Sequence, residues 1–230
     1  MYKTLPFFKN REIVVPTFLL IIISLYIFIL LPLKAQTAGD DYFYAYSVKK
    51  SMESGQIQVA EASTASQVFP IVWAVFFSSF LGFSYKTLHI STLFFLPITL
   101  ITTYYLLKRF RLNSQKAVLA SLFFISIPYF FQYSLTFLTD FPFLTLEILA
   151  LLFLVIGLKK DNNRYLLIGS IFSALAFLTR QLGFFLPLCA SVAYLITSRN
   201  IPISKKFLRI LAISLVPVLT FIIYMAVYKE

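Results

Sequence analysis

Long apolar runs recur along the chain and are separated by short polar segments. The first run, Ile13–Leu33, has 21 residues, enough for a helix to cross the roughly 30 Å of bilayer hydrocarbon. Six later runs are predicted to span in the same way, at 88–107, 117–135, 141–158, 165–179, 183–197 and 207–228. Backbone polar groups inside lipid must be satisfied within their own segment. The runs therefore predict an all-α integral membrane protein with about seven transmembrane helices.

The composition agrees with a chain that lies mostly in lipid, since 60% of its residues are hydrophobic and only 13% are charged. A soluble domain has about half apolar and about a quarter charged residues. Soluble enzymes, nucleic-acid-binding proteins and disulfide-stapled secreted folds are thereby excluded, and no nucleic-acid partner is expected despite a net charge of +11. Cys189 is the only cysteine, and His89, the only histidine, is predicted to be a packing residue.

One apolar run, Val68–Phe83, is too short to cross, because its 16 residues would form a helix of about 24 Å. If it does not cross, fourteen of the 20 basic residues lie on the same side of the membrane as the N-terminus. If it crosses, only six of the 20 lie on that side. The positive-inside rule favours the first arrangement. We predict one polytopic membrane domain over 1–230 with a cytoplasmic N-terminus. Its outer loop, 34–87, would hold Val68–Phe83 as a re-entrant or interfacial helix between spans 1 and 2.

This topology gathers charged side chains on the outer face of the membrane. They are Asp40, Asp41, Glu53, Glu61, Asp140 and Arg180. The predicted inner loops hold only Glu12 and Asp161 among the acids. A polar cluster on one face of a membrane domain indicates a site at the interface between lipid and water.

Asp40 and Asp41 start a segment that ends at Gly55 and has the pattern of an amphipathic juxtamembrane helix. Acids at this position can cap the helix. They can also act as a general base that takes a proton from an acceptor hydroxyl at the membrane boundary. The sequence leaves both interpretations open.

Asp140 stands two residues before Pro142, where it could either cap a helix or belong to a site. Glu147 follows seven residues later, on the same helix face and inside an apolar run. Ionisable residues at that depth usually face a cavity or a partner. For Glu147, pairing with a polar neighbour is favoured over catalysis.

Arg180 and Gln181 interrupt the apolar stretch Tyr165–Thr197. Two short helices meeting there would leave Arg180 somewhat below the outer surface, where an idle charge is costly. Arg180 could be a snorkelling anchor at a helix end. It could also bind a phosphate or pyrophosphate group, a task that suits the forked guanidinium.

The order of these features resembles the GT-C membrane glycosyltransferases of the family 39 type, which includes protein O-mannosyltransferases and aminoarabinose transferases. The matching segments are Asp40-Asp41-Tyr42…Ser54-Gly55, Phe69-Pro70-Ile71-Val72-Trp73, Thr139-Asp140-Phe141-Pro142 and Ala176-Phe177-Leu178-Thr179-Arg180-Gln181. They cover roughly residues 10–200. The chain departs from the family pattern at two places. The segment Gln67-Val68-Phe69-Pro70 stands where the family often has Lys-Pro-Pro, and Phe43 stands where it often has a basic residue.

The resemblance implies transfer of a sugar from a polyprenyl-phosphate donor on the periplasmic, extracellular or lumenal face. It puts Asp40, Asp41 and Asp140 at the acidic catalytic positions. It implies that Arg180 lies near the lipid phosphate. The predicted substrate-binding residues are Arg180, Gln181, Glu61, Lys49 and Lys50. No dedicated metal site is expected, and a divalent cation is the one cofactor left open.

Members of this family usually have more spans, so the chain is expected to be the N-terminal part of a longer transferase or to need a second membrane chain. Two other functions stay open, a non-catalytic membrane subunit and a transporter of lipid-linked sugars. Transporters bind substrate near the bilayer midplane, between repeats and at broken helices. The polar residues gather at one interface here, which favours the transferase.

Overall fold

The computed structural model describes residues 11–30, 39–60, 66–198 and 201–228, and the regular elements in these ranges are helices. In chain order they are α1 Arg11–Leu30, α2 Asp41–Ser54, α3 Val68–Leu81, α4 Tyr85–Leu93, α5 Phe95–Arg109, α6 Ser114–Ser126, α7 Pro128–Ser134, α8 Asp140–Lys160, α9 Asn163–Thr179, α10 Phe185–Thr197 and α11 Ile203–Tyr228. A 3₁₀ turn, Gln181–Phe184, connects α9 to α10. The predicted all-helical class is confirmed for these ranges.

Three helical segments of the described chain are long and apolar enough to cross a membrane: Tyr85–Arg109, Asp140–Lys160 and Ile203–Tyr228. The first joins α4 and α5. A fourth is added if Ser114–Phe124 and Pro128–Ser134 count as one span, although the two are bent by 70°. Seven spans therefore stay a prediction, because Asn163–Thr179 and Gln181–Thr197 are apolar but shorter.

The bend between α6 and α7 interrupts the run that the sequence predicts as one span at 117–135. Ile127 stands between the two helices with φ -81 and ψ 115, an extended conformation. Proline disfavours helical backbone at the residue before it, so Pro128 restricts Ile127 to this region. A helix ends there and another begins with the proline at its first position.

The run predicted to be too short to span forms α3, whose 14 residues extend about 21 Å. It ends before Gly82, which has φ 77. The face of α3 with Ile71 and Ala74 packs against Ala45 and Val48 of α2, and Leu88 of α4 joins the same cluster. These contacts pack α2 against α3 and α4. The side of the membrane on which α3 lies stays a prediction.

The helices α8 and α9 form a tightly packed antiparallel hairpin. A Cβ atom at Gly157 would lie 2.6 Å from the Leu166 side chain, and one at Gly169 would lie 2.8 Å from that of Leu154. The missing side chains let the two helices approach closely, as small residues do in membrane helix pairs. The first residue of α8 and the last residue of α9 lie at the same end of this hairpin, the end opposite the turn.

The two ends of the hairpin carry different groups. At the turn, Lys159 donates from Nζ to the Arg109 carbonyl at 2.6 Å, and Arg209 of α11 pairs with Asp161 and donates to the Tyr194 hydroxyl at 2.7 Å. The opposite end is about 31 Å away, given the 21 residues of α8. That separation is close to the thickness of bilayer hydrocarbon, about 30 Å.

Candidate functional site

The start of α2 presents its two neighbouring acids to different surroundings. Asp40 is exposed, its backbone carbonyl accepts the Tyr44 N–H at 3.2 Å, and its side chain makes no capping hydrogen bond. Asp41 is in the first turn and fully buried. The carboxylate of Asp40 is therefore not used as a helix cap and faces open space, whereas that of Asp41 faces the protein interior.

A second acid stands at the start of α8, in contact with the basic residue that follows α9. Asp140 is the first residue of α8, and its carboxylate forms an ion pair with the guanidinium of Arg180. Their side chains are 41% and 34% exposed, so a substrate could reach the pair. Residues forty positions apart in the sequence thus meet at the open end of the hairpin.

A break in the helix gives Arg180 its position. The α9 helix ends at Thr179, and Arg180 adopts an extended conformation with φ -146 and ψ 139. The 3₁₀ turn that follows folds back against α9 so closely that a Cβ atom at Gly183 would lie 2.3 Å from the Phe177 nitrogen. The predicted interruption of the apolar stretch is therefore confirmed, and its extended residue directs the guanidinium toward Asp140.

The start of α3 is attached to this break. The backbone N–H of Gln67 donates to the Thr179 carbonyl at 3.3 Å, directly before Arg180. Gln67 has φ 56, a left-handed conformation at the residue before α3. Gln67 and Ser66 are both buried. The ends of α3 and α9 consequently meet beside the ion pair.

Tyr44 lies among the charged groups of the site and was not predicted from the sequence. Burial raises the pKa of its phenol above the ordinary value, and contact with the Thr139 hydroxyl opposes that rise. The carboxylates of Asp40 and Asp140 raise the pKa further. The Arg180 guanidinium lowers it. The phenol therefore stays protonated at neutral pH and can donate a hydrogen bond.

Tyr44 lies near all three predicted charges, because both carboxylates and the guanidinium influence the pKa of its phenol. We call Asp40, Tyr44, Asp140 and Arg180 the polar cluster. The sequence did hold a signal for Tyr44, since it follows Asp40 by four residues, the spacing of neighbours on one helix face.

Asp41 is paired with a residue that the sequence analysis assigned to packing. The Nε2 atom of His89 in α4 lies 3.4 Å from Oδ2 of Asp41, and both side chains are at most 2% exposed. The predicted packing position of His89 is correct, but its neighbour is an acid. Asp41 points to a different side of α2 from Asp40, because successive residues of a helix are about 100° apart.

Three further predicted substrate-binding residues, Lys49, Lys50 and Gln181, do not belong to the polar cluster. Lys49 is 3.9 Å from Glu53, and Lys50 lies 5.3 Å above the Tyr46 ring, all on the exposed side of α2. They follow Tyr44 by five and six residues, which turns them about 120–140° away from it around the helix. Gln181 is exposed next to Arg180. Glu61 lies outside the described residues, and a role for any of the four in substrate binding stays a prediction.

Glu147 lies two helical turns after Asp140 on α8. Its Oε1 atom is buried, and no hydrogen-bond partner is found for it among the described residues. The pairing predicted for Glu147 is therefore not seen at this oxygen. Within the same ranges, no three His, Cys, Asp or Glu side chains come together in a way that could hold a metal ion.

Comparison with known proteins identifies one family. The model of the dolichyl-phosphate-mannose-protein mannosyltransferase family matches residues 69–224, which is more than half of the 230 residues. The matched range contains Asp140 and Arg180 and runs from α3 into α11, while Asp40 lies before it. No curated protein and no solved structure matches the chain.

Proposed function

Because the chain belongs to the dolichyl-phosphate-mannose-protein mannosyltransferase family, whose members use a polyprenyl-phosphate-linked sugar donor, we propose that it is an integral membrane glycosyltransferase using such a donor. The observation that carries the proposal is the ion pair of Asp140 and Arg180 at one end of the α8–α9 hairpin, with Tyr44, one helical turn after Asp40, near these charges. The acceptor is a hydroxyl of a lipid, a glycan or a protein. Asp140 and Arg180 lie inside the matched range, whereas Asp40 and Tyr44 lie before it and add support from outside the family match.

Asp40 acts as the general base in this proposal. Its carboxylate is exposed and is not occupied by helix capping, so it can take the proton of the acceptor hydroxyl. As the proton leaves, the acceptor oxygen bonds to the anomeric carbon of the sugar. The bond from that carbon to the phosphate oxygen breaks, and the polyprenyl phosphate departs with the electron pair.

Arg180 stabilises the charge that grows on the departing phosphate. A guanidinium has five N–H donors, and the ion pair with Asp140 is made through Nη1. Donors therefore stay available for a phosphate, and a fixed cation at that position lowers the barrier. Asp140 holds the guanidinium at the break after α9, so that the cation is already oriented when the donor arrives.

Sugar transfer can be measured directly on the full chain in liposomes, with synthetic polyprenyl-phosphate mannose as the probe donor. We expect loss of the intact donor and appearance of polyprenyl phosphate, faster with added acceptor than with water alone. The assay is run twice, once with the chain alone and once after adding an extract of membranes from cells that do not make the chain. The added extract would supply a second membrane protein if the chain needs one to complete the fold. The absence of donor turnover in both settings would refute the proposal.

Tyr44→Phe tests the phenol of the polar cluster, because it keeps the ring and removes only the hydroxyl. In the proposed site the phenol donates to the charged phosphate of the bound donor, and such a hydrogen bond contributes about 1.5–3 kcal/mol, so we expect turnover to fall about tenfold or more. Tyr46→Phe is the matched control, because Tyr46 lies on the same helix and is 46% exposed. Equal losses in the two variants would mean that any tyrosine change in α2 disturbs the enzyme.

We further propose that the polar cluster lies on the outer face of the membrane and the N-terminus on the cytoplasmic face. The distribution of basic residues in the sequence supports this orientation. So does the geometry of the hairpin, whose turn lies about 31 Å from the polar cluster and has Lys159 beside it, with Arg209 of α11 paired to its Asp161. Val68–Leu81 is then an outer-face helix that does not cross, and seven helices span.

Single cysteines test this orientation in a Cys189→Ser background, which is needed because Cys189 is exposed. We expect cysteines at positions 40, 84 and 140 to react with a membrane-impermeant maleimide from outside. A cysteine in place of Lys116, which is exposed and predicted to be cytoplasmic, should react only after permeabilisation. If the cysteine at position 84 reacts only after permeabilisation, α3 crosses the membrane and the proposed orientation is wrong.

A further inference from the structure

A buried acid and a buried histidine next to the polar cluster have no part in the chemistry described so far. Asp41 is 0% exposed, His89 is 2% exposed, and 3.4 Å separates Oδ2 from Nε2. Neither of these two atoms meets the geometry of a hydrogen bond to another described residue. An isolated ionised carboxylate is very costly to bury, so Asp41 depends on His89 for compensation.

The position of this pair in the fold couples it to the orientation of α2. Asp41 shares its buried helix face with Ala45 and Val48, which pack on α3 and on Leu88 of α4, the residue before His89. Asp40 and Tyr44 lie on the adjoining face. Successive residues of a helix are about 100° apart, so a rotation of α2 by one residue would exchange Asp40 and Asp41.

We infer that Asp41 and His89 are positioning residues that fix the rotation of α2 and thereby direct Asp40 and Tyr44 toward Asp140 and Arg180. The apolar contacts of Ala45 and Val48 hold α2 against its neighbours but tolerate sliding and rotation, since hydrophobic contact is not directional. The Asp41–His89 contact differs from them, because it brings together two buried polar atoms, 3.4 Å apart, that have no hydrogen-bond partner elsewhere among the described residues. This inference rests on the proposed function for its catalytic consequence, though the contact itself can be tested without catalysis.

The catalytic test compares Asp41→Asn, His89→Gln and the double variant in the full chain with the polyprenyl-phosphate mannose assay. Misplacement of a reacting group by about 1 Å can lower the rate about a hundredfold, so we expect kcat to fall about tenfold to a hundredfold. The KM for the donor should stay within about twofold, because Arg180 is untouched. The double variant should be no worse than either single variant, since both remove the same contact.

Ser51→Ala is the matched control. Ser51 is buried on α2 one turn from the end of the helix, where its hydroxyl accepts the Gln58 N–H at 2.8 Å. Its loss loosens α2 without touching the pair, so kcat should be unchanged. If Ser51→Ala lowers kcat as much as Asp41→Asn does, general loosening of α2 explains the loss and the inference is overturned.

Two measurements test the contact without sugar transfer. Amide hydrogen exchange in 41–54 should rise about tenfold or more in both single variants, because α2 opens more often. Fluorescence of Trp73, the one tryptophan of the chain, reports whether α3 and α4 stay packed, since its Nε1 donates to the Ser91 carbonyl at 2.9 Å. Its emission should be unchanged in both variants.

These readouts separate failure of the inference from failure of the proposed function. If the wild-type chain transfers no sugar but exchange in α2 rises as expected, the proposed function is wrong and the contact between α2 and α4 stands. If the wild type is active and Asp41→Asn retains full kcat with unchanged exchange, the inference is overturned. If Trp73 emission shifts in Asp41→Asn, that variant has disturbed the packing of α3 and α4, and His89→Gln decides instead. The same two criteria then apply to it, namely kcat and hydrogen exchange in α2.

Discussion

Replacing Asp40 with asparagine is expected to lower sugar transfer about a hundredfold or more while insertion and donor binding stay intact. Asparagine has nearly the same size as aspartate but cannot accept the proton of the acceptor hydroxyl. The Asp40 side chain makes no capping hydrogen bond, so the loss cannot be attributed to a weakened helix start. Turnover is measured with polyprenyl-phosphate mannose in liposomes, and donor binding by protection of thermal stability.

Glu53→Gln provides the control for Asp40→Asn. Glu53 is another acid of α2, its side chain is 62% exposed, and its partner is Lys49 on the same exposed side. Removing its charge changes the electrostatics of α2 by the same amount at a position away from the polar cluster, so turnover should be unaffected. Wild-type turnover by a well-inserted Asp40→Asn protein would show that Asp40 is not the base.

Arg180→Gln is expected to abolish most sugar transfer and to weaken donor binding, whereas Arg180→Lys should retain part of both. The departing phosphate gains negative charge that a fixed cation stabilises. Lysine keeps the charge but loses the forked geometry that allows contact with Asp140 and phosphate together. The measurements are turnover and the apparent Kd for polyprenyl-phosphate mannose. Arg164→Gln, an exposed arginine in the first turn of α9, is the control and should behave like the wild type.

A double variant distinguishes two reasons for a loss in Arg180→Gln. The single change leaves Asp140 without its ion-pair partner, and this unpaired carboxylate would itself repel a phosphate. Arg180→Gln combined with Asp140→Asn removes both charges. If donor binding and turnover recover to wild-type levels in the double variant, Arg180 serves only to neutralise Asp140. Continued loss supports direct contact between Arg180 and the phosphate.

The sequence was sufficient for features that depend on local composition. The run predicted at 141–158 is the helix Asp140–Lys160, and the run predicted at 165–179 is Asn163–Thr179. Helix length and apolar content are local properties, because each backbone hydrogen bond of a helix is made within the same segment. The break at Arg180 was predictable for the same reason, since two polar residues interrupt a continuous apolar stretch. The resemblance to family 39 glycosyltransferases is confirmed by the family match over 69–224.

Tertiary structure decided which candidate residues meet. Asp40 and Asp41 are adjacent and chemically equal in the sequence, yet one is exposed and the other is buried against His89. A helix turns about 100° per residue, so the face that packs on α3 and α4 determines which acid is available. The pairing of Asp140 with Arg180 likewise depends on how closely α8 and α9 approach. Packing between distant segments sets helix rotation and separation, and no local pattern in the chain encodes either.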